Sequence, residues 1–139
     1  MHWLTSTIQT AFVTCSAFVL LVSTSQGADW SSFRGPSGDG ISTAINLPLK
    51  WSATENVDWK TPLKGQGWSS PVLRNDVLYI TNAVAENAES AQTSYQLNTV
   101  AIDSKSGKIL WTTNVFTQPI DSARIHSKNS HASPTPIVT

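Results

Sequence analysis

The sequence is poor in cysteine and in charge, and each shortage excludes a class of protein. Its one cysteine among 139 residues is Cys15, so neither a disulfide scaffold nor a multi-cysteine metal site is available. Nine Lys and Arg balance nine Asp and Glu, charged residues make up 13% of the chain, and no basic cluster occurs. The electrostatic pattern of a nucleic-acid-binding protein and the polybasic stretch of a membrane anchor are therefore both missing.

Charge is absent altogether from residues 1–28, which sets this segment apart from the rest of the chain. Its longest unbroken apolar run, Ala17–Val22, is short beside the roughly 20 apolar residues of a membrane span. Ser25 and Gly27 place small residues where a signal peptidase requires them. The segment predicts a signal peptide over residues 1–27, with an uncleaved anchor as the alternative because Lys and Arg are missing from its start. We expect a secreted or periplasmic protein whose mature form has no cysteine.

After residue 28 the sequence also lacks a helix-length stripe of apolar residues at 3.6-residue spacing. Short apolar and β-branched runs, separated by turn residues, predict at least five strands and no helix longer than about two turns. The expected strands are Val57–Leu63, Pro71–Leu73, Val77–Thr81, Gln96–Ile102 and Lys108–Val115. The fold class is therefore all-β.

Two polar turns are predicted to form hairpins between these strands. Arg74–Asp76 is the first, and the second runs from Asp103 to Gly107. In the second turn we expect Asp103 to accept amide protons and Gly107 to adopt a positive φ angle. Trp111 follows among apolar neighbours in the return strand, so we interpret it as a packing anchor.

Three segments contain residue types that bind metals or partners in other proteins. Gly38-Asp39-Gly40 has a single carboxylate, too few for a calcium loop, so Asp39 is interpreted as a cap on local amides. His126 and His131 are five residues apart with no third ligand, which favours a polar loop over a metal site. Ala83–Thr93, rich in Ala, Glu, Asn and Gln, is interpreted as a surface insertion.

Weak internal repetition distinguishes a propeller from other all-β architectures. Trp68-Ser69-Ser70-Pro71 returns as His131-Ala132-Ser133-Pro134. Trp59-Lys60-Thr61 resembles Trp111-Thr112-Thr113. A repeated strand order of this kind is typical of β-propellers, whose last blade is completed by an N-terminal strand.

One stretch carries a resemblance to a known family. Ala101-Ile102-Asp103-Ser104-Lys105-Ser106-Gly107-Lys108-Ile109-Leu110-Trp111 resembles the PQQ-like (pyrroloquinoline-quinone-type) β-propeller repeat, in which Ala-x-Asp-x-x-Thr-Gly is followed four residues later by Trp. Only Ser106 departs from that pattern. The resemblance implies that Gly107 forms the hairpin between two outer strands and that Trp111 docks between neighbouring blades. Trp59 and Trp68 are the other aromatic residues assigned to the repeat.

The wider chain from Asp29 onward is similar to the N-terminal part of secreted bacterial PQQ-like repeat proteins. The resemblance implies a partial β-propeller over residues 57–139, preceded by a loop region over residues 28–56. About one four-stranded blade with strands of its neighbours would be present, whereas a closed propeller has about four to eight blades. We therefore expect this chain to be a truncated N-terminal fragment.

Two functions are compatible with that resemblance. The first is a non-catalytic, exported binding or assembly scaffold that has no cofactor and contacts protein partners through its blade loops. The alternative is the N-terminal piece of a PQQ-dependent quinoprotein alcohol or sugar dehydrogenase, which would use PQQ, calcium and an Asp base. No residue here matches that base or its calcium ligands, so catalytic and cofactor-binding residues stay unassigned. Neither nucleic-acid binding nor a membrane span after signal cleavage is expected.

Overall fold

The computed structural model describes residues 29–86, 94–119 and 125–139, and this part of the chain contains one antiparallel sheet. Its strands are β1 (Val72–Arg74), β2 (Val77–Glu86), β3 (Ser94–Asp103) and β4 (Ile109–Pro119). They lie in the order β1-β2-β3-β4, so each strand pairs with the next along the chain. Helices are absent from the described residues, which confirms the all-β prediction there.

The hairpin between β1 and β2 is closed by a two-residue turn. Asn75 and Asp76 have φ angles of 49° and 62°. Two successive positive φ angles are typical of the type I′ turn, whose twist matches that of the flanking strands. Arg74 pairs with Val77 across this turn, so the first predicted hairpin is confirmed.

The hairpin between β3 and β4 is stabilised by its first residue, Asp103. The Asp103 carboxylate accepts a hydrogen bond from the backbone N–H of Ser106 at 2.7 Å, and its carbonyl accepts one from the N–H of Gly107 at 2.8 Å. Gly107 has a φ angle of 71°. Both predictions made for this turn are therefore confirmed.

The core lies around the middle of β2 and β3. Val72 and Val100 are fully buried, and Ala83, Leu97 and Ala132 form a small apolar cluster against which Tyr95 packs. Ala132 comes from the segment after β4, so the C-terminal residues cover one face of the sheet. The other face is bordered by the segment before β1.

The prediction of a strand over Val57–Leu63 is wrong. The described residues contain four strands, whereas at least five were expected. This segment belongs to no ladder. It is held instead by side chains, because the indole N–H of Trp59 donates to the Ser104 carbonyl at 2.9 Å and the Thr61 hydroxyl donates to the Gly107 carbonyl.

The prediction of a surface insertion over Ala83–Thr93 is also wrong for residues 83–86. Residues 83–86 complete β2, and Ala83 is buried between Leu97 of β3 and Gln66, with which it forms a bridge. Ala83 and Ala85 alternate with the larger Val84 and Glu86, which fits a strand with two different faces. Residues 87–93 lie outside the described residues, as does the predicted signal peptide over residues 1–27.

Two tryptophans of the repeat are more exposed than side chains packed in a core would be. Trp68 is 55% exposed, and Trp111 is 44% exposed with its ring centroid 5.9 Å from that of Tyr79. Because β4 is the outer strand of the sheet and its neighbours are exposed as well, the interpretation of Trp111 as a packing anchor stays a prediction. No helix in the described residues is long and apolar enough to cross a membrane.

Candidate functional site

Trp59 docks directly on the turn that joins β3 and β4. A Cβ atom placed on Gly107 would lie 2.5 Å from Cε3 of Trp59 and 2.8 Å from Oγ1 of Thr61. The indole N–H also donates to the carbonyl of Ser104 in the same turn. Both the positive φ angle and this close contact therefore require glycine at position 107.

The charged side chains of this turn form hydrogen bonds and an ion pair with neighbouring turn residues. The Ser106 hydroxyl donates to the Asp103 carboxylate at 2.6 Å, and this bond, with the Ser106 N–H, holds the pKa of Asp103 below its usual range. Lys105 pairs with Asp76 at 2.7 Å, which raises the pKa of Lys105. These bonds all lie within the hairpin turns, where they hold the backbone in place.

Replacing Ser106 by alanine is expected to raise the pKa of Asp103 towards the usual value of about 3.9, because the hydroxyl bond is the largest cause of its lowering. Because the folded-state pKa is lowered, the stabilisation that Asp103 supplies is present above the unfolded pKa and is lost as the pH falls through the folded pKa. The measurement is an NMR pH titration of the Asp103 carboxyl carbon. The matched control is Ser106→Thr, which keeps the hydroxyl. Equal Asp103 pKa values in the two variants would contradict the prediction.

The two repeated serine-proline segments lie side by side. The backbone N–H of Trp68 donates to the carbonyl of Ala132 at 3.1 Å, and the N–H of Ser70 donates to the hydroxyl of Thr135 at 3.0 Å. The Thr81 hydroxyl of β2 donates to the carbonyl of Pro134 at 3.1 Å. The segment after β4 is thus anchored on the start of the sheet by polar contacts.

A small apolar hollow lies beside this anchored segment. It has a volume of about 260 Å³ and lies between Leu97 and Phe116 of the sheet and Pro134 of the covering segment. His131 stacks on Tyr95 at its side, with 3.9 Å between ring centroids. Aromatic packing therefore accounts for His131.

The opposite face carries a polar groove that the sequence interpretation missed. Strand register places Asn82 beside Asn98 and Asn98 beside Asn114, and all three line a cavity of about 500 Å³. The three asparagines are equally spaced along the sequence. This spacing predicts a shared face of the sheet only when the register of the three strands is known.

The residues weighed in the sequence as metal ligands make local contacts. His126 accepts a hydrogen bond from the N–H of Lys128 through Nδ1. Asp39 accepts from the N–H of Ile41 and the hydroxyl of Ser37, which confirms its interpretation as a local cap. Across residues 29–86, 94–119 and 125–139, no group of three or more His, Cys, Asp or Glu side chains could hold a metal ion.

Comparison of the chain with protein families, curated proteins and solved structures finds no match in any of the three.

Proposed function

We propose that the chain is a repeat unit of an exported, non-catalytic β-propeller that acts as a binding or assembly scaffold. The observation that carries the proposal is the docking of Trp59 on the Asp103–Gly107 turn. The resemblance to the PQQ-like repeat implies that a tryptophan docks between neighbouring blades, and the contact of Trp59 with this turn supports such a role for it. Trp111 occupies the same place in its own repeat as Trp59, and its exposed ring offers the next docking surface.

Two further features support a stack of repeats. The four-stranded antiparallel meander has the size and strand order of one blade. The serine-proline segment at Trp68 lies against its repeat at Ala132, as the first strands of adjacent blades would. Exposed apolar residues on β4, among them Val115 and Phe116, would then lie between blades.

The alternative function is a quinoprotein dehydrogenase that binds PQQ and calcium. The carboxylates of Asp39 and Asp103 are occupied by local hydrogen bonds, and nothing in the described residues gathers further ligands around either. The scaffold is therefore the better supported of the two functions.

The dehydrogenase alternative is tested by urea unfolding of the mature chain, followed by tryptophan fluorescence with and without PQQ and calcium. A scaffold is expected to give the same unfolding midpoint in both conditions, because a ligand raises the midpoint only when it binds the folded state. PQQ alone and calcium alone are the controls. A midpoint that rises only with both would overturn the scaffold in favour of the dehydrogenase.

The mass of the exported protein tests the export part of the proposal, which expects an N-terminus at Ala28 or Asp29.

A further inference from the structure

The outer edge of β4 is open in the part of the chain that the structure describes. There, β4 pairs only with β3, and the two isolated bridges lie at other strands. The strand has no charged residue, and its large apolar side chains are all exposed: Ile109, Leu110, Trp111, Val115 and Phe116. An open, uncharged and apolar edge is a template for pairing with a further strand.

Two β-bulges limit how much of this edge can accept a strand. The register shifts between β3 and β4 leave Leu110 and Val115 as extra residues without a partner position on β3. Residues 111–114 lie between the two bulges and form the regular edge. Because a bulge distorts the ladder, the edge suits a short strand of about four residues better than a pairing along the whole of β4.

A second exposed apolar surface, of matching length, lies in the segment before β1. Leu47, Leu49 and Trp51 occupy every second position there and are 63–95% exposed. In an extended chain this spacing places the three side chains on one face. Asn46 has a φ angle of 58°, which is not extended, so the segment that can form a strand begins at Leu47. Residues 47–51 belong to no strand within the described chain.

Pro48 determines which side of the 47–51 segment can pair. The backbone N–H and C=O groups of alternate residues point to opposite sides of a strand. Leu47, Leu49 and Trp51 therefore share one side, and Pro48, which has no N–H, lies on the other. When the first side pairs with β4, Pro48 lies on the new outer edge, where proline is tolerated and hinders the addition of another strand.

The two surfaces fit each other better than β4 fits itself. Antiparallel self-pairing of β4, centred on the regular edge, would place the bulged Leu110 opposite the bulged Val115 at both ends. The 47–51 segment matches the regular edge in length and avoids both bulges. Lys50 is the one charged residue in these two stretches, so no like charges would lie opposite each other. Within one chain, the structure leaves both surfaces exposed.

We propose that residues 47–51 of one copy add as a short strand to the outer edge of β4 in a second copy. The contact is head-to-tail, because each copy contributes a different surface. This inference deepens the proposed scaffold function and rests on it, since the second copy takes the place beside β4 that a neighbouring blade would occupy. The contact is short and lies at or below about 1,200 Å², the low end of specific interfaces, so the association is reversible and increases with protein concentration.

The test is analytical ultracentrifugation of the full mature chain over a range of concentrations, without PQQ or calcium. Reversible association is expected. Leu49→Lys and Val115→Lys are each expected to lower the association constant by about tenfold or more, because each places a charge in an apolar contact. The matched control is Ile137→Lys, because Ile137 is an exposed isoleucine that belongs to neither surface.

Mixing the two variants tests the head-to-tail arrangement. Leu49→Lys keeps an intact β4, and Val115→Lys keeps an intact 47–51 segment. An equimolar mixture is therefore expected to form dimers and nothing larger, although neither variant associates alone. Self-pairing of β4 would instead leave the association of Leu49→Lys unchanged, and that result would overturn the proposal.

Two other results would also overturn it. They are a chain that stays monomeric up to about 1 mM, and an equal loss of association in Ile137→Lys. Circular dichroism identifies a variant that fails to fold, and Leu110→Lys then replaces Val115→Lys as the change on β4. Failure of the scaffold function is a separate result, because it is measured by the effect of PQQ and calcium on the unfolding midpoint.

Discussion

Replacing Gly107 by alanine is expected to lower the free energy of unfolding by about 2–5 kcal/mol. A non-glycine residue at a φ angle of 71° is strained, and its Cβ would overlap the Trp59 ring at 2.5 Å. The ring cannot withdraw without losing its hydrogen bond to the Ser104 carbonyl. The measurement is urea unfolding followed by circular dichroism.

Gly38→Ala is the matched control for this prediction. Gly38 has a φ angle of 74°, but nothing lies within 4 Å of a Cβ atom built there. The two variants share the backbone strain and differ in the contacts that the new Cβ atom makes with Trp59 and Thr61. If both lose the same stability, the docking of Trp59 on the turn does not contribute to the fold, and the observation behind the scaffold proposal loses its energetic support.

A double-variant cycle extends the comparison. In a Trp59→Leu background the ring is gone, so Gly107→Ala is expected to cost only the backbone strain and the remaining contact with Oγ1 of Thr61. The coupling energy between positions 59 and 107 then measures the contact itself. Independent effects at the two positions would contradict direct packing.

The turns were the most predictable part of the fold, because their chemistry is local. Asp103 and Gly107 lie within one turn of chain, and the hydrogen bonds and φ angle they adopt depend on little beyond it. The same is true of Asp39, which caps the Ile41 amide two residues away. Local side-chain chemistry can be recognised from sequence without knowledge of the tertiary structure.

Features that depend on distant partners were not predictable in the same way. Val57–Leu63 has the composition of a strand, yet its contacts are hydrogen bonds from Trp59 and Thr61 to a turn more than 40 residues later. Ala83 has a weak intrinsic preference for strands but is enclosed by Leu97 on one side and Gln66 on the other. In both cases tertiary contacts override local preference.

The polar groove lined by Asn82, Asn98 and Asn114 shows the same limit. No single asparagine indicates a site, and Asn82, Asn98 and Asn114 become neighbours only through two separate strand registers. A slip of one residue in either register would move one carboxamide to the opposite face. The residues that hold β2 in place therefore also determine whether the groove exists.

Gly65 is one of these residues, and Gly65→Ala is expected to destabilise the protein by about 3 kcal/mol or more. A Cβ atom at this position would lie 2.1 Å from the carbonyl oxygen of Ala83, and the φ angle of 74° is strained for alanine. Unlike a flexible side chain, the backbone of β2 cannot move aside without disturbing its pairing with β3.

The expected damage is specific. Gln66 and Ala83 exchange backbone hydrogen bonds of 2.9 and 2.7 Å, and the carbonyl of Lys64 accepts from Asn82. Moving residue 65 away from β2 breaks both contacts, so the Ala83 amide should lose its hydrogen-exchange protection while the Gly107 amide, which bonds to Asp103, keeps its own. Gly38→Ala again supplies the strain-only control. Unchanged protection at Ala83 in Gly65→Ala would show that the segment before β1 does not hold β2, and that the groove wall forms without it.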